Sequence, residues 1–212
     1  METWAIVVAA GGGARFGSAK QFARLGASTV LDRAVGIACE SCDGVVVVLP
    51  PGATWELPAG VRAAIGGATR SESVRAGLAC VPETAEVVVV HDAARPLASR
   101  GLFGAVIEAI RAGVDAAVPA LPVVDTLKRV RDRDVLETVS REGLVAVQTP
   151  QAFRAEALRA AHARDGIDTD DAALVEAEGG KVVVVEGERR NLKLTRADDL
   201  ELAQSLIEGV RS

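Results

Sequence analysis

Short runs of valine, isoleucine and alanine alternate along this chain with longer stretches whose apolar positions recur every three or four residues. The runs WAIVVAA, GVVVVLP, VRAAIGG, EVVVVHD, DAAVPA and KVVVVEG predict strands. The intervening periodicity predicts helices near 29–40, 71–80, 99–112, 154–164, 170–178 and 196–209. Because the runs are apolar on successive residues rather than on alternate ones, both faces of the sheet should be covered by helices. The alternation itself points to α/β architecture: a doubly wound, mostly parallel sheet.

One segment breaks the rhythm. Over about 122–149 the β-favouring stretches DTLKRV, DVLETVS and LVAVQT are separated by the charged RDRD, which predicts an antiparallel arm projecting from the body. A two-stranded ribbon is marginal alone in water, so such an arm calls for a second subunit. No repeat, linker or low-complexity tract divides the chain, and residues 1–212 read as a single domain carrying this arm.

Composition then narrows the partners. A net charge of −5 with both signs interspersed leaves no basic stripe for nucleic acid, and 3% aromatic residues supply few stacking platforms. No apolar run approaches the roughly 20 residues that cross a bilayer. The opening METWAIVVAA has Glu2 where a signal peptide needs a basic residue, so a cytoplasmic protein is expected. Cys39, Cys42 and Cys80 form no disulfide framework. The C-x-x-C pair falls at the end of a predicted helix rather than at its start, which favours a structural role over a redox one.

The chemistry gathers where an open α/β sheet places it, after the first strand. AAGGGARFGSAKQF sets consecutive glycines, whose backbone amides can approach an anion closely, beside Arg15 and Lys20. The stretch fits neither common glycine motif. Ser18 and Ala19 stand between Gly17 and Lys20 where a Walker loop requires Gly-Lys, and Phe16 replaces the last glycine of the dinucleotide pattern. A forked guanidinium and a mobile ammonium beyond the glycines suit a phosphate chain. Asp92, just past EVVVV, lies at a strand's carboxyl end, where a carboxylate can hold a divalent ion bridging phosphates. His91 reads as structural, His162 as a surface residue, and Asp170 and Asp171 as helix-capping acids.

AAGGGARF, KQF, HDAARP, DTLKR, TPQAF and NLKLT, in that order, resemble the 2-C-methyl-D-erythritol 4-phosphate cytidylyltransferases over essentially the whole chain. The resemblance implies a Rossmann-like nucleotidyltransferase fold, transfer of CMP from CTP to methylerythritol phosphate with release of pyrophosphate, Mg2+ as cofactor, and a homodimer formed through the arm. It also implies residue roles. Arg15, Lys20, Arg141 and Lys193 would form the catalytic set, Arg15 and Lys20 stabilising the transition state and Lys193 adding a third cation that also meets the nucleotide. Ala9, Ala10, Gly11, Gly12, Gly66, Gly67, Ser73 and Asp92 would meet the nucleotide, and Asp92 the metal. Asp92, Arg95, Thr126, Arg141, Thr149 and Thr169 would meet the sugar phosphate, Thr126 and Arg141 by reaching into the neighbouring subunit's site. Ala68 departs from the aspartate common at its position, which removes any side-chain contact made there. A ribitol 5-phosphate cytidylyltransferase is the alternative within the class, and a non-catalytic nucleotide-binding regulator the alternative outside it.

Overall fold

The first strand, Thr3–Val8 (β1), is apolar at nearly every position because both of its faces are buried. Ala5 and Val7 point into one apolar cluster, and Trp4 and Ile6 into another. The computed structural model describes residues 1–11, 20–163 and 170–209. After β1 come a short 3-10 turn at Lys20–Phe22, the small strands β2 (Arg24–Leu25) and β3 (Ser28–Thr29), α1 (Val30–Ser41), β4 (Gly44–Leu49) and β5 (Val61–Ile65). Next are α2 (Arg70–Leu78), β6 (Val87–Asp92), α3 (Arg100–Arg111), β7 (Ala116–Pro122), β8 (Leu127–Arg131) and β9 (Asp134–Val139). The chain continues through β10 (Val145–Val147), β11 (Gln151–Arg154), α4 (Ala155–His162), α5 (Asp171–Ala177), β12 (Val182–Glu186) and α6 (Asp198–Glu208).

Strands β6, β1, β4 and β5 run parallel side by side, and β12 runs parallel to β7. The antiparallel β11 joins the two groups by pairing with both β6 and β7. Helices α1 and α3 pack on one face and α2, α4 and α5 on the other, giving the doubly wound arrangement expected from the apolar runs. Each predicted helix is present within a residue or two of its expected ends. Local chemistry explains the starts. Thr29 and Asp32 form a reciprocal capping box at α1, Thr69 and Glu72 do the same at α2, and the Ser99 hydroxyl accepts from the Leu102 amide at α3.

The arm is shorter than its sequence signal. Only β8 and β9 form the separate ribbon, turning at Asp132, while β10 lies antiparallel against β7 as part of the main sheet. The expectation that LVAVQT belongs to the arm is corrected accordingly: its Val145–Val147 stretch pairs with Ala120–Pro122 of β7 as an edge strand of the main sheet. In the ribbon, Val130 and Val135 are 56% and 60% exposed, and Arg129 pairs with Glu137 across the strands. Cys42 is the residue that ends α1, as the position of the C-x-x-C pair predicted.

A candidate phosphate-binding active site at the carboxyl edge

The carboxyl ends of β1, β5 and β6 open into a cavity of about 450 Å³ lined by Val8–Gly11, Lys20, Gln21, Gly67–Arg70, Ser73, Asp92–Ala94, Lys193 and Thr195. Two glycines permit the close approach of its walls. A Cβ on Gly66 would stand 2.2 Å from the Ala10 Cβ and 2.8 Å from the Ser73 Oγ, and one on Gly67 would stand 2.4 Å from the Glu72 Cβ. The Glu72 carboxylate accepts from the backbone amides of Ala68 (2.6 Å) and Thr69 (3.2 Å). The loop ahead of α2 is therefore held through its backbone amides by the Glu72 carboxylate, without help from the side chain of residue 68. Ser73 donates its hydroxyl to the Thr69 carbonyl at 2.9 Å while facing the cavity.

Four charged side chains, Lys20, Arg70, Asp92 and Lys193, converge on this space. Asp92 accepts from the Lys193 ammonium at 2.6 Å through Oδ2 and from the Arg70 Nε at 3.4 Å through Oδ1. Burial raises its pKa, but the charges of Lys193 and Arg70 outweigh that effect and hold the carboxyl at about 2, so Asp92 is ionised at neutral pH. Lys20 donates to the carbonyl of Leu194 at 2.6 Å. Leu194 is itself fully buried, packed with Leu25, Val30 and Ala203, and its amide donates to the Ala94 carbonyl at 2.8 Å. That apolar anchor keeps its neighbours Lys193 and Thr195 on the cavity side.

Beneath Asp92 lies a layer of buried polar groups. The Asp92 amide donates to the Thr149 hydroxyl at 3.0 Å, which stands 3.1 Å from His91 Nδ1, while His91 Nε2 lies 3.2 Å from the Arg95 carbonyl. A carbonyl can only accept, so Nε2 carries the proton and Nδ1 accepts from Thr149. Burial pushes the His91 pKa down to about 4, and the ring is neutral with both nitrogens engaged. This matches the structural role expected for His91. Arg95 donates to the Asn191 carbonyl at 2.7 Å, and the Asn191 amide donates to the Thr149 carbonyl at 2.9 Å. Gln148 also donates to the Glu188 carbonyl at 2.9 Å. These bonds tie the segment carrying Lys193 to the ends of β6 and β10.

Among the sequence-derived candidates, the cavity brings together Ala9, Ala10, Gly11, Lys20, Gly67, Ser73, Asp92 and Lys193, with Gly66 one residue behind its wall. Thr149 and Arg95 sit just beneath, engaged as above. Thr126 and Arg141 lie exposed at the base of the arm, where Arg141 donates to the Val124 carbonyl. Arg15, Gly12 and Thr169 lie outside the described residues.

Two expectations are corrected. His162 is buried rather than superficial, because α4 packs its last turn against α5 and the His162 Nε2 meets Asp171 Oδ1 at 3.0 Å. Asp170 and Asp171 make no side-chain cap. Asp170 accepts from Gln151 at 2.8 Å, and Asp171 accepts from Arg70 at 2.6 Å. Arg70 itself was not singled out from sequence, although it closes the GGATR block directly after the two glycines. Gln148 and Asn191 escaped for a plainer reason, since amides carry no charge signal in a motif.

A doubly wound sheet with cations, a carboxylate and glycine-lined backbone at its carboxyl edge defines a nucleotide-handling α/β enzyme. The sequence pattern of the family described as 2-C-methyl-D-erythritol 4-phosphate cytidylyltransferase matches residues 3–209. A protein of that name from Rhodococcus jostii is 46% identical over 96% of this chain and 94% of its own length. A bifunctional IspD/IspF enzyme from Anaeromyxobacter dehalogenans is 46% identical over 96% of this chain, which spans only 56% of that longer protein. The crystal structure of 2-C-methyl-D-erythritol 4-phosphate cytidylyltransferase from Thermus thermophilus superposes with a TM-score of 0.85 at 40% identity, covering 96% of this chain and 98% of that one. The chain belongs to the 2-C-methyl-D-erythritol 4-phosphate cytidylyltransferase family.

Proposed function

We propose that this enzyme transfers CMP from CTP to 2-C-methyl-D-erythritol 4-phosphate, releasing pyrophosphate and forming 4-diphosphocytidyl-2-C-methyl-D-erythritol for isoprenoid synthesis. The observation that carries the reading, beside family membership, is the meeting of Lys20, Asp92 and Lys193 with the glycine-lined backbone at one cavity. An incoming phosphate is already an anion at neutral pH, so the reaction needs no side-chain nucleophile or base. It needs two negative groups held in line and the charge that builds on the α-phosphate neutralised. Lys20 and Lys193 supply cations from two walls of the cavity, and Arg15 belongs to the same set. The backbone at Ala9–Gly11 and Gly66–Gly67, with Ser73, holds the nucleotide.

The donor set suits Mg2+. A single carboxylate, Asp92, faces the cavity, and no group of three metal-ligating side chains occurs among the described residues. Magnesium typically takes one or two carboxylates and completes its shell with water and substrate phosphates. Asp92 would hold the ion, which when bound supplies charge neutralisation at the triphosphate. Lys193 is paired with Asp92, and with that carboxylate holding a metal ion its ammonium would be available to a phosphate.

The acceptor side draws on Arg95, Thr149 and Thr169 of one subunit and on Thr126 and Arg141 of its partner's arm, in a homodimer. Support for the dimer comes from the ribbon's exposed Val130, Val135 and Leu136, apolar side chains on a two-stranded surface. Three free cysteines suit a reducing compartment, and the cytoplasm is the expected location. Pyrophosphate release from CTP, measured side by side with methylerythritol phosphate and ribitol 5-phosphate, tests the assignment. Turnover with ribitol phosphate alone overturns the acceptor, and none with either favours a nucleotide-binding regulator. Sedimentation equilibrium showing only monomer at micromolar concentration removes the dimer.

A further inference from the structure

Five ionisable side chains form an unbroken line through the molecule: His162, Asp171, Arg70, Asp92 and Lys193, with successive contacts of 3.0, 2.6, 3.4 and 2.6 Å. Arg70 is its centre. It is the first residue of α2, where the positive helix end disfavours a cation, so its placement there requires compensation from elsewhere. The compensation is a pair of carboxylates from two other elements, Asp92 at the end of β6 and Asp171 at the start of α5. The Asp171 side chain is 1% exposed and uses one oxygen for Arg70 and the other for His162. A charge so deeply buried is tolerable only with partners on both oxygens.

The consequence falls on Asp92. Its amide is fixed by Thr149, and its carboxylate is held at Oδ1 by Arg70 and at Oδ2 by Lys193. Lys193 is 44% exposed on a loop, so of the two partners it is the one that would turn away if a phosphate or cation arrived. Arg70 is 25% exposed and clamped from behind by Asp171. It is the handle that remains.

We propose that Arg70, anchored by Asp171, is a positioning residue that aims the Asp92 carboxylate at the nucleotide-bound cation and keeps the loop ahead of α2 in register with it. This rests on the assignment of Asp92 to the metal and nucleotide. A lysine at 70 carries the charge but has a single ammonium that cannot span both carboxylates, and an asparagine at 171 keeps the volume but releases the clamp.

The test uses Arg70→Lys, Asp171→Asn and the double variant of the full chain. Steady-state kinetics with CTP and methylerythritol phosphate is combined with Mn2+ binding to the protein–CTP complex, followed by water-proton relaxation without acceptor. Each single variant should lose tenfold or more in kcat with CTP KM changed less than threefold, bind Mn2+ at least fivefold more weakly, and unfold within a few degrees of the parent. The double variant should be no worse than the weaker single one, because both changes break the same clamp. A kcat within twofold of the parent in either single variant overturns the proposal, as do losses that multiply in the double variant or unchanged Mn2+ binding. If one variant fails to fold, the other decides. If the parent releases no pyrophosphate with either acceptor, the transferase assignment falls, and the Mn2+ titration still decides the role of Arg70.

Discussion

His91 should make this protein lose stability in mild acid, well above the range in which carboxylates titrate. The ring is fully buried, bonded at both nitrogens as the neutral Nε2–H form, and 5.2 Å from the Phe103 ring. Burial lowers its pKa from 6.5 to about 4. The unfolded chain therefore takes up a proton below about pH 6.5 that the native state refuses until about pH 4. Because the folded value is the lower one, this contribution is fully present above pH 6.5 and is lost as the pH falls. At about 1.4 kcal/mol per pH unit for one proton, the loss between pH 7 and pH 5 is about 2 kcal/mol, rising to about 3 kcal/mol by pH 4. Urea unfolding at pH 7, 6 and 5, followed through the fluorescence of Trp4 and Trp55, measures it. His91→Gln, which cannot titrate, should give a profile flatter by about 2 kcal/mol over that interval. The chain has only two histidines, so the ring signals of His91 can be assigned by NMR from the same variant. Parallel profiles for parent and variant, a ring titrating near 6.5, or a proton on Nδ1 would refute the argument.

Three further outcomes are expected. Lys193→Ala should lower kcat by a hundredfold or more, as removal of a transition-state hydrogen-bond donor does elsewhere, with little change in melting temperature because the side chain is 44% exposed; turnover near the parent's in a pyrophosphate-release assay would remove Lys193 from the reacting set. Gly66→Ala drives a methyl to 2.2 Å from the Ala10 Cβ, an overpacking that costs about 1–3 kcal/mol, so differential scanning calorimetry should show a lowered melting temperature and titration with CTP a tenfold weaker affinity. An unchanged CTP affinity would mean that the nucleotide does not depend on that loop. Burial first, then the nearby Asp43, pushes the Cys42 thiol from 9.0 up to about 12, about a thousandfold less thiolate, so iodoacetamide at pH 8 should label Cys42 only after unfolding. Rapid labelling of the native protein at that residue would contradict the raised thiol pKa.

Much of the architecture was open to reading in one dimension because its physical causes are local. The four consecutive valines of β4 and β6 are covered on both faces, and Thr29 with Asp32 or Thr69 with Glu72 states where a helix begins. The glycines and cations after β1, and Asp92 at the end of β6, announced an anion site by the chemistry of the loops and the rule that ligands gather at carboxyl edges. Where a segment's partner lies far along the chain, local pattern was silent. LVAVQT has the composition of an arm strand, yet it pairs with β7, and only the packed sheet decides between the two. His162 carries a polar signal, but it is buried by α5 and balanced by Asp171. Asp171 in turn shows the composition of a helix cap and instead faces Arg70, 101 residues earlier in the chain.

The sequence by itself determined the alternation of strands and helices, the glycines after the first strand and the identity of the charged groups at the sheet's edge, since each depends on neighbours a few residues away. Tertiary structure alone decided which of those charges are paired, that Asp92 is held by Arg70 and Lys193, and that His91 is neutral. Those outcomes follow from burial and from contacts across the fold, where a charge loses its water and its state is set by whichever partner the packing brings within reach.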